Sequence, residues 1–188
     1  MILVGLVGPI GAGKTTLAQR LVDQWGFTRI GFADVLKAEV ARTIPQTLRA
    51  YVRAIYPDIA EENVLGHIHR LLWVKRDDFS RSLLQEWGTE LRRAEDPDYW
   101  VRQWANQARG LPRVVADDVR FPNEAQMIHT LGGSLVRVQR ASSTVAALHA
   151  SETALADWHA VDHHLVNDGT IEEWLVEADR LAKAIGAG

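Results

Sequence analysis

The first sixteen residues, MILVGLVGPIGAGKTT, constrain the fold more than any other stretch of the chain. Met1 to Val7 is a near-continuous apolar run, the pattern of a central parallel strand covered on both faces. It reads as a buried strand rather than a signal peptide, because it runs straight into glycines with no basic segment or cleavage site. Gly8, Gly13, Lys14 and Thr15 then fit G-x-x-x-x-G-K-[ST]. Leu17, Leu21 and Val22 follow at helical spacing up to Gly26, a natural helix stop. A strand, a glycine loop and a helix in that order can close backbone N–H groups around phosphate oxygens. The helix N-terminus adds partial positive charge. Lys14 would reach the β- and γ-phosphates of a nucleoside triphosphate, and the Thr15 hydroxyl is a ligand for Mg²⁺.

The remaining pattern alternates. Thr28 to Phe32 is a short candidate second strand, and Arg113 to Asp117, Ser134 to Gln139 and His163 to Val166 are further ones. Helices are expected after Pro122, ending at Gly132-Gly133, and after Thr170, where Thr170-Ile171-Glu172-Glu173 is a capping box. From Val35 to about Arg109 the pattern is helical, broken at Pro45, Pro57 and Gly66, with Asp96-Pro97-Asp98 as a helix start in which Asp96 caps and Pro97 is the first helical residue. Residues 141 to 162 also read as helical. The expected class is α/β: a mostly parallel sheet with helices on both faces. We expect a single phosphate-loop domain over 1–188, with a helical insertion at about 35–109 and a lid at about 140–162.

Composition narrows the partners. The chain has 188 residues, 47% of them hydrophobic and 24% charged, with a net charge of −3. No basic excess points to a nucleic-acid polymer, and no apolar run reaches membrane-spanning length. There are no cysteines, which removes disulfides and thiolate zinc sites and is compatible with a cytoplasmic location. Of the histidines, His67 and His69 fall on different sides of a helix and His163 and His164 on opposite faces of a strand, so neither pair suits zinc. His149, in H-A-S-E, sits where a lid would hinge or a helix start.

A phosphate loop specifies the donor half of a reaction only. No guanine-reading N-K-x-D element is present, which argues against a switch GTPase. Val114-Val115-Ala116-Asp117-Asp118 has the shape of an ATPase strand end. Among kinases, a hydroxyl acceptor needs a carboxylate base. A phosphate monoester is mostly a dianion at neutral pH and needs cations instead. Arginine suits that task, since its planar fork holds phosphate oxygens in pairs. Arginines stand beside every site-like feature: Arg92-Arg93 after Gly88-Thr89-Glu90, Arg120 after Asp117-Asp118, and Arg137 and Arg140 at a strand end. Asp34 follows the second strand and reads either as an acceptor-facing carboxylate or as the N-cap of the helix from 35.

With those segments in hand, the chain resembles the phage-type deoxynucleoside monophosphate kinases, within the nucleoside monophosphate kinase group. GPIGAGKTT (8–16), GFADVLK (31–37), LLQEWGTELRRAEDPDYWV (83–101), VVADDVRFPNEAQMI (114–128), GGSLVRVQR (132–140), HASE (149–152) and VNDGTIEE (166–173) carry the resemblance. It spans nearly everything except residues 42–80, where nothing is carried over. The resemblance implies a five-stranded parallel core, an acceptor-binding helical insertion and a closing lid. It implies transfer from ATP, with Mg²⁺, to a deoxynucleoside monophosphate, in the host cytoplasm if the source is a phage. Gly11, Ala12, Gly13, Lys14, Thr15 and Thr16 would hold the ATP phosphates, and Asn167, Gly169 and Thr170 would lie near the donor adenine. Ala33, Asp34, Lys37, Gln85, Trp87, Gly88, Thr89 and one of Arg92 or Arg93 would line the acceptor site. Asp118 and Arg120 would flank the transferring phosphoryl, with Asp117 the alternative acid, and Arg137 and Arg140 would begin the lid.

Two alternatives stay open at this level. One is a phosphate-loop kinase of a hydroxyl acceptor, a nucleoside or dephospho-coenzyme A, using Asp34 as base. The other is a nucleotide-binding protein that hydrolyses ATP slowly. A homodimer face in the insertion is a further expectation, and Trp87, beside Gly88-Thr89, is the tryptophan placed to meet an acceptor base.

Overall fold

The computed structural model of the chain describes residues 1–74, 77–140, 155 and 158–187. They divide into two compact units, Met1–Phe32 with Trp104–Gly188, and Ala33–Gln103.

The first unit is built on β1 (Ile2–Val7), β2 (Thr28–Arg29), β3 (Arg113–Ala116), β4 (Ser134–Gln139) and β5 (His163–Val166). Among the described residues they form one parallel sheet in the order β2-β3-β1-β4-β5. The apolar run predicted the central place of β1, which pairs on both sides: Val4 lies opposite Val115 of β3, and Leu6 opposite Val136 of β4. Side chains alternate between the faces of a strand. Val4 and Leu6 pack with Leu17 and Leu21 of α1 (Lys14–Trp25) and with Trp174, Ala178 and Leu181 of α8 (Ile171–Ala184). Gly5 faces α7 (Pro122–Thr130), where a Cβ would meet Ile128 Cγ1 at 2.9 Å. α1 and α8 are also tied by Asp179, which accepts from Arg20 Nε and Nη2 at 3.0 and 2.8 Å and from Trp25 Nε1 at 2.8 Å.

β2 is shorter than expected. It ends at Arg29 because a helix, α2 (Phe32–Thr43), already begins at Phe32. A first-turn N–H needs an acceptor from outside the helix. Asp118 provides it, its Oδ1 accepting from the Phe32 N–H at 2.7 Å. Asp34 therefore lies in the first turn of α2 and is not its N-cap. Residues 158–162 run as loop into β5, not as helix. The rest of the expected lid, with His149, lies outside the described residues apart from Leu155.

The second unit consists of α2 beyond Phe32, α3 (Pro45–Ile55), α4 (Glu61–His69), α5 (Asp78–Gln85), the start of α6 (Tyr99–Ala108) and two π-helical stretches, Arg70–Val74 and Glu86–Arg93. Its core is Val40, Leu48, Val52, Val64, Ile68, Leu72 and Leu84. Gly66 lies inside α4 without breaking it. Asp77 caps α5 by accepting from Ser80 N at 2.8 Å, and it also accepts from Tyr51 Oη at 2.8 Å. The helix expected from Pro97 starts two residues later. Pro97 instead occupies a tight turn in which the Asp96 carbonyl accepts from Tyr99 N at 3.0 Å. Among the described residues no helix is long and apolar enough to cross a membrane.

Candidate active site

The phosphate loop closes on itself and is braced from behind. Lys14 Nζ arches back to the carbonyls of Gly8 and Pro9, at 2.6 and 2.8 Å. α1 starts with no side-chain cap at Gly13 and no acid in its first turn, so the N–H groups and positive end of the helix dipole are left for an external anion. Gly13 has φ 103°, and a Cβ there would lie 2.4 Å from Asn167 Nδ2 and 2.9 Å from Trp174 Nε1. The reason is that both side chains hold the loop. Asn167 Nδ2 donates to Ala12 O at 2.9 Å, and Trp174 Nε1 donates to Gly13 O at 3.1 Å.

Thr15 Oγ1 donates to Asp117 Oδ2 at 3.2 Å. Asp117 is the buried acid at the end of β3, 5% exposed. Its Oδ1 lies 2.8 Å from Arg29 Nη2, an ion pair without an aligned hydrogen bond, so that buried oxygen has no hydrogen-bond partner among the described residues. A hydroxyl and an under-satisfied carboxylate side by side are hard oxygen donors of the kind Mg²⁺ takes. The residues present thus fit that ion. Of the doubled acid, Asp117 is the one beside Thr15. Asp118 instead holds the start of α2.

The predicted arginines of this unit are placed differently from one another. Arg120 is exposed just beyond β3, and its backbone N–H, like that of Phe121, is fixed by Glu124 Oε2 at 2.8 and 3.2 Å. Arg137 is half-buried and donates through Nη2 to the carbonyls of Leu155 and Trp158, at 2.9 and 2.8 Å. Arg140 is exposed after the end of β4. Asn167 and Gly169 line an open groove of about 520 Å³ along the first turns of α8, with Asp168, Glu173, Trp174 and Glu177. Thr170 caps α8 reciprocally with Glu173.

In the second unit, Lys37 is buried and pairs with Asp34 at 3.0 Å. Gly88 is buried against Leu36, and its carbonyl accepts from Trp100 Nε1 at 3.0 Å. Gln85 and Thr89 are exposed, and Ala33 is half-buried. Trp87 is half-buried and donates from Nε1 to Glu39 Oε1 at 3.0 Å. The same oxygen accepts from Arg92 Nε at 2.8 Å, and Tyr99 Oη donates to Glu39 Oε2. Burial pushes the Glu39 carboxyl up, but the hydrogen bonds from Tyr99, Trp87 and Arg92 outweigh it and hold it below the ordinary value. Arg93, next to Arg92, is half-buried.

A model of the family described as deoxynucleotide monophosphate kinase matches residues 38–177. The chain belongs to the deoxynucleotide monophosphate kinase family. A putative deoxynucleotide monophosphate kinase of Acanthamoeba polyphaga mimivirus is 32% identical over 178 residues, 93% of this chain and 92% of the relative. Adenylate kinases match shorter pieces. That of Nitrobacter winogradskyi is 49% identical over 45 residues, 24% of this chain and 22% of its own length. That of Pyrococcus furiosus is 32% identical over 76 residues, 38% of this chain and 34% of its own. The five-stranded parallel sheet with its phosphate loop is the fold expected of such a kinase.

Three residues of this deoxynucleotide monophosphate kinase escaped the sequence reading. Trp174 lies in the helix expected after Thr170, and its bond to the Gly13 carbonyl joins residues 161 apart. Arg29 stood in a strand read as longer than it is. Glu39 did leave a signal: it falls among Val35, Leu36 and Val40 on the apolar stripe of α2, where a carboxylate needs partners to be tolerated.

Proposed function

We propose that this kinase transfers the γ-phosphoryl of ATP to a deoxynucleoside 5′-monophosphate, releasing ADP and the deoxynucleoside diphosphate. The observation that supports it most is the donor cradle, Lys14 and the uncapped start of α1 with Thr15 against Asp117, in a member of this family. Lys14 would leave the loop carbonyls to neutralise the β- and γ-phosphates. Asn167 and Trp174 hold the loop carbonyls so that its N–H groups need not reorganise. Thr15 and Asp117 would hold Mg²⁺, which would supply charge neutralisation when bound. Asn167, Gly169 and Thr170 would lie near the adenine, and Ala33, Gln85, Gly88, Thr89 and Arg92 near the acceptor. Arg120 would stabilise the charge on the transferring group, with Arg140 contributing after β4. Arg137, engaged by the carbonyls of Leu155 and Trp158, would hold those two residues beside β4.

The acceptor phosphate is a dianion at neutral pH and needs no base. In keeping with this, Asp34, the base that a hydroxyl-acceptor kinase would use, is paired with Lys37 at 3.0 Å. ADP release from ATP, measured with a panel of deoxynucleoside monophosphates, ribonucleoside monophosphates, nucleosides and dephospho-coenzyme A, tests the reading. Turnover that depends on the monophosphates is expected. Turnover with nucleosides or dephospho-coenzyme A alone, or ATPase activity indifferent to every acceptor, refutes it.

A further inference from the structure

We infer that Glu39 is a positioning residue that makes Arg92, rather than its neighbour Arg93, the arm that grips the 5′-phosphate of the acceptor. This inference rests on the function proposed above and adds to it a residue outside the motifs that carry the family resemblance.

Glu39 is 6% exposed. A carboxylate this buried is destabilising unless its charge and lone pairs are met, and a leucine would complete the apolar stripe of α2 more cheaply. The chain meets it with three donors from three places: Trp87 Nε1 and Arg92 Nε on Oε1, and Tyr99 Oη on Oε2. Arg92 is clamped twice over, since its guanidinium carbon also lies 5.0 Å from the centre of the Tyr99 ring. The side chain is 31% exposed, and the contact to Glu39 uses Nε. The Nη1–Nη2 edge is the one suited to a pair of phosphate oxygens.

The backbone explains why this arginine and not the next is selected. Residues five apart on an α-helix point about 140° from one another at 3.6 residues per turn. Trp87 and Arg92 are five apart, and both reach one oxygen of Glu39. They do so because Glu86–Arg93 is π-helical, with bonds from i to i+5 that bring such residues to the same side. π-helical turns are rare, and many of them accompany functional sites. What Glu39 contributes is an arginine whose rotamer is fixed before the ligand arrives, which removes an ordering cost from binding. Its own charge is shared with Tyr99 and Trp87, so the guanidinium is oriented without being fully neutralised.

The test is Glu39→Gln, which keeps the shape and one acceptor oxygen, for Trp87 or for Tyr99, but removes the charge that holds Arg92. Steady-state constants for both substrates, the dissociation constant of the monophosphate alone by equilibrium dialysis, and the melting temperature are measured. KM and the dissociation constant for the deoxynucleoside monophosphate are expected to rise roughly 10-fold, while KM for ATP stays within about twofold. Arg92→Lys, which loses the fork, is expected to raise the same two constants, and by more than Arg93→Lys does. An unchanged monophosphate constant in Glu39→Gln, or equal rises for both substrates, overturns the inference and leaves Glu39 as a packing residue. If Glu39→Gln does not fold, Arg92→Lys decides, and an unchanged KM for the monophosphate overturns it. A wild-type enzyme with no monophosphate-dependent ADP release refutes the proposed function and this inference with it. An active wild type with an unaltered Glu39→Gln refutes the inference alone.

Discussion

Replacing Asn167 by alanine separates a phosphate loop that is shaped by its sequence from one shaped by its support. Asn167 is 7% exposed and donates to the carbonyl of Ala12, a residue with no exposed surface, at 2.9 Å. Truncation leaves that carbonyl buried without its donor, at a cost of about 1–3 kcal/mol. Taking about 2 kcal/mol, a chain of this size should melt about 4–8 °C lower if the loop keeps its shape. If the loop relaxes instead, nucleotide must restore it on binding. The same energy then appears as a loss of ADP affinity of up to about 30-fold. We expect most of it in affinity, because Gly13 and Gly11 leave the loop backbone free to move. Calorimetric titration with ADP, alongside a thermal melt, distinguishes the two. Asn167→Asp sharpens the result: the carboxylate presents only acceptors to the Ala12 carbonyl, so it should bind ADP more weakly than the alanine variant. An ADP dissociation constant within twofold of wild type in both variants refutes the idea that Asn167 shapes the loop.

Lys14→Ala should abolish turnover while circular dichroism and melting temperature remain near wild type, and wild-type-like turnover would remove the loop from the chemistry. Arg120→Ala should slow turnover by about 10²-fold, the scale for losing one transition-state charge stabiliser, and an unchanged rate would place Arg120 outside the site. Chelation of divalent cations should stop turnover and readdition of Mg²⁺ restore it. Asp117→Asn should raise the Mg²⁺ concentration needed for half-maximal rate and weaken Mn²⁺ binding seen by paramagnetic resonance, and unaltered Mn²⁺ binding would exclude Asp117 as a ligand. For Asp179 the Arg20 hydrogen bond, then that from Trp25, holds the carboxyl below its ordinary value. A depressed carboxylate pKa stabilises above the unfolded value, near 4, and that stabilisation is lost as the pH falls through the folded one. Asp179→Asn should therefore lose about 1 kcal/mol at pH 7 and converge with wild type in melts taken as the pH falls through the folded value. A gap that persists at low pH would refute the ion-pair account.

The sheet was readable because its information is local and periodic. Apolar runs marked β1, β3 and β4, and Thr170 with Glu173 marked the start of α8. Where the reading failed, a distant partner decided the outcome. β2 stops short because Asp118 takes the Phe32 N–H, a contact between residues 86 apart. That Asp117 stands beside Thr15, about a hundred residues away, is likewise a contact no spacing rule encodes. The Arg92-or-Arg93 question was closed to any argument from helical periodicity, because Glu86–Arg93 does not have the α-helical period. Half of the donor cradle was visible as a motif, and its bracing by Asn167 and Trp174 was not, because both contacts cross the whole chain.

The helical segment 33–103 leaves the first unit at Phe32 and returns to it at Trp104. Those two rings stack with centroids 4.4 Å apart, and Trp104 Nε1 donates to Ile30 O at 2.9 Å. The entropy of bringing the ends of a long excursion together is thus met inside the sheet unit itself. A segment anchored at its base in this way can be lengthened, shortened or recoded between its ends without shifting the strands. It is a natural cassette, and a segment grafted from a related kinase should inherit the same attachment points.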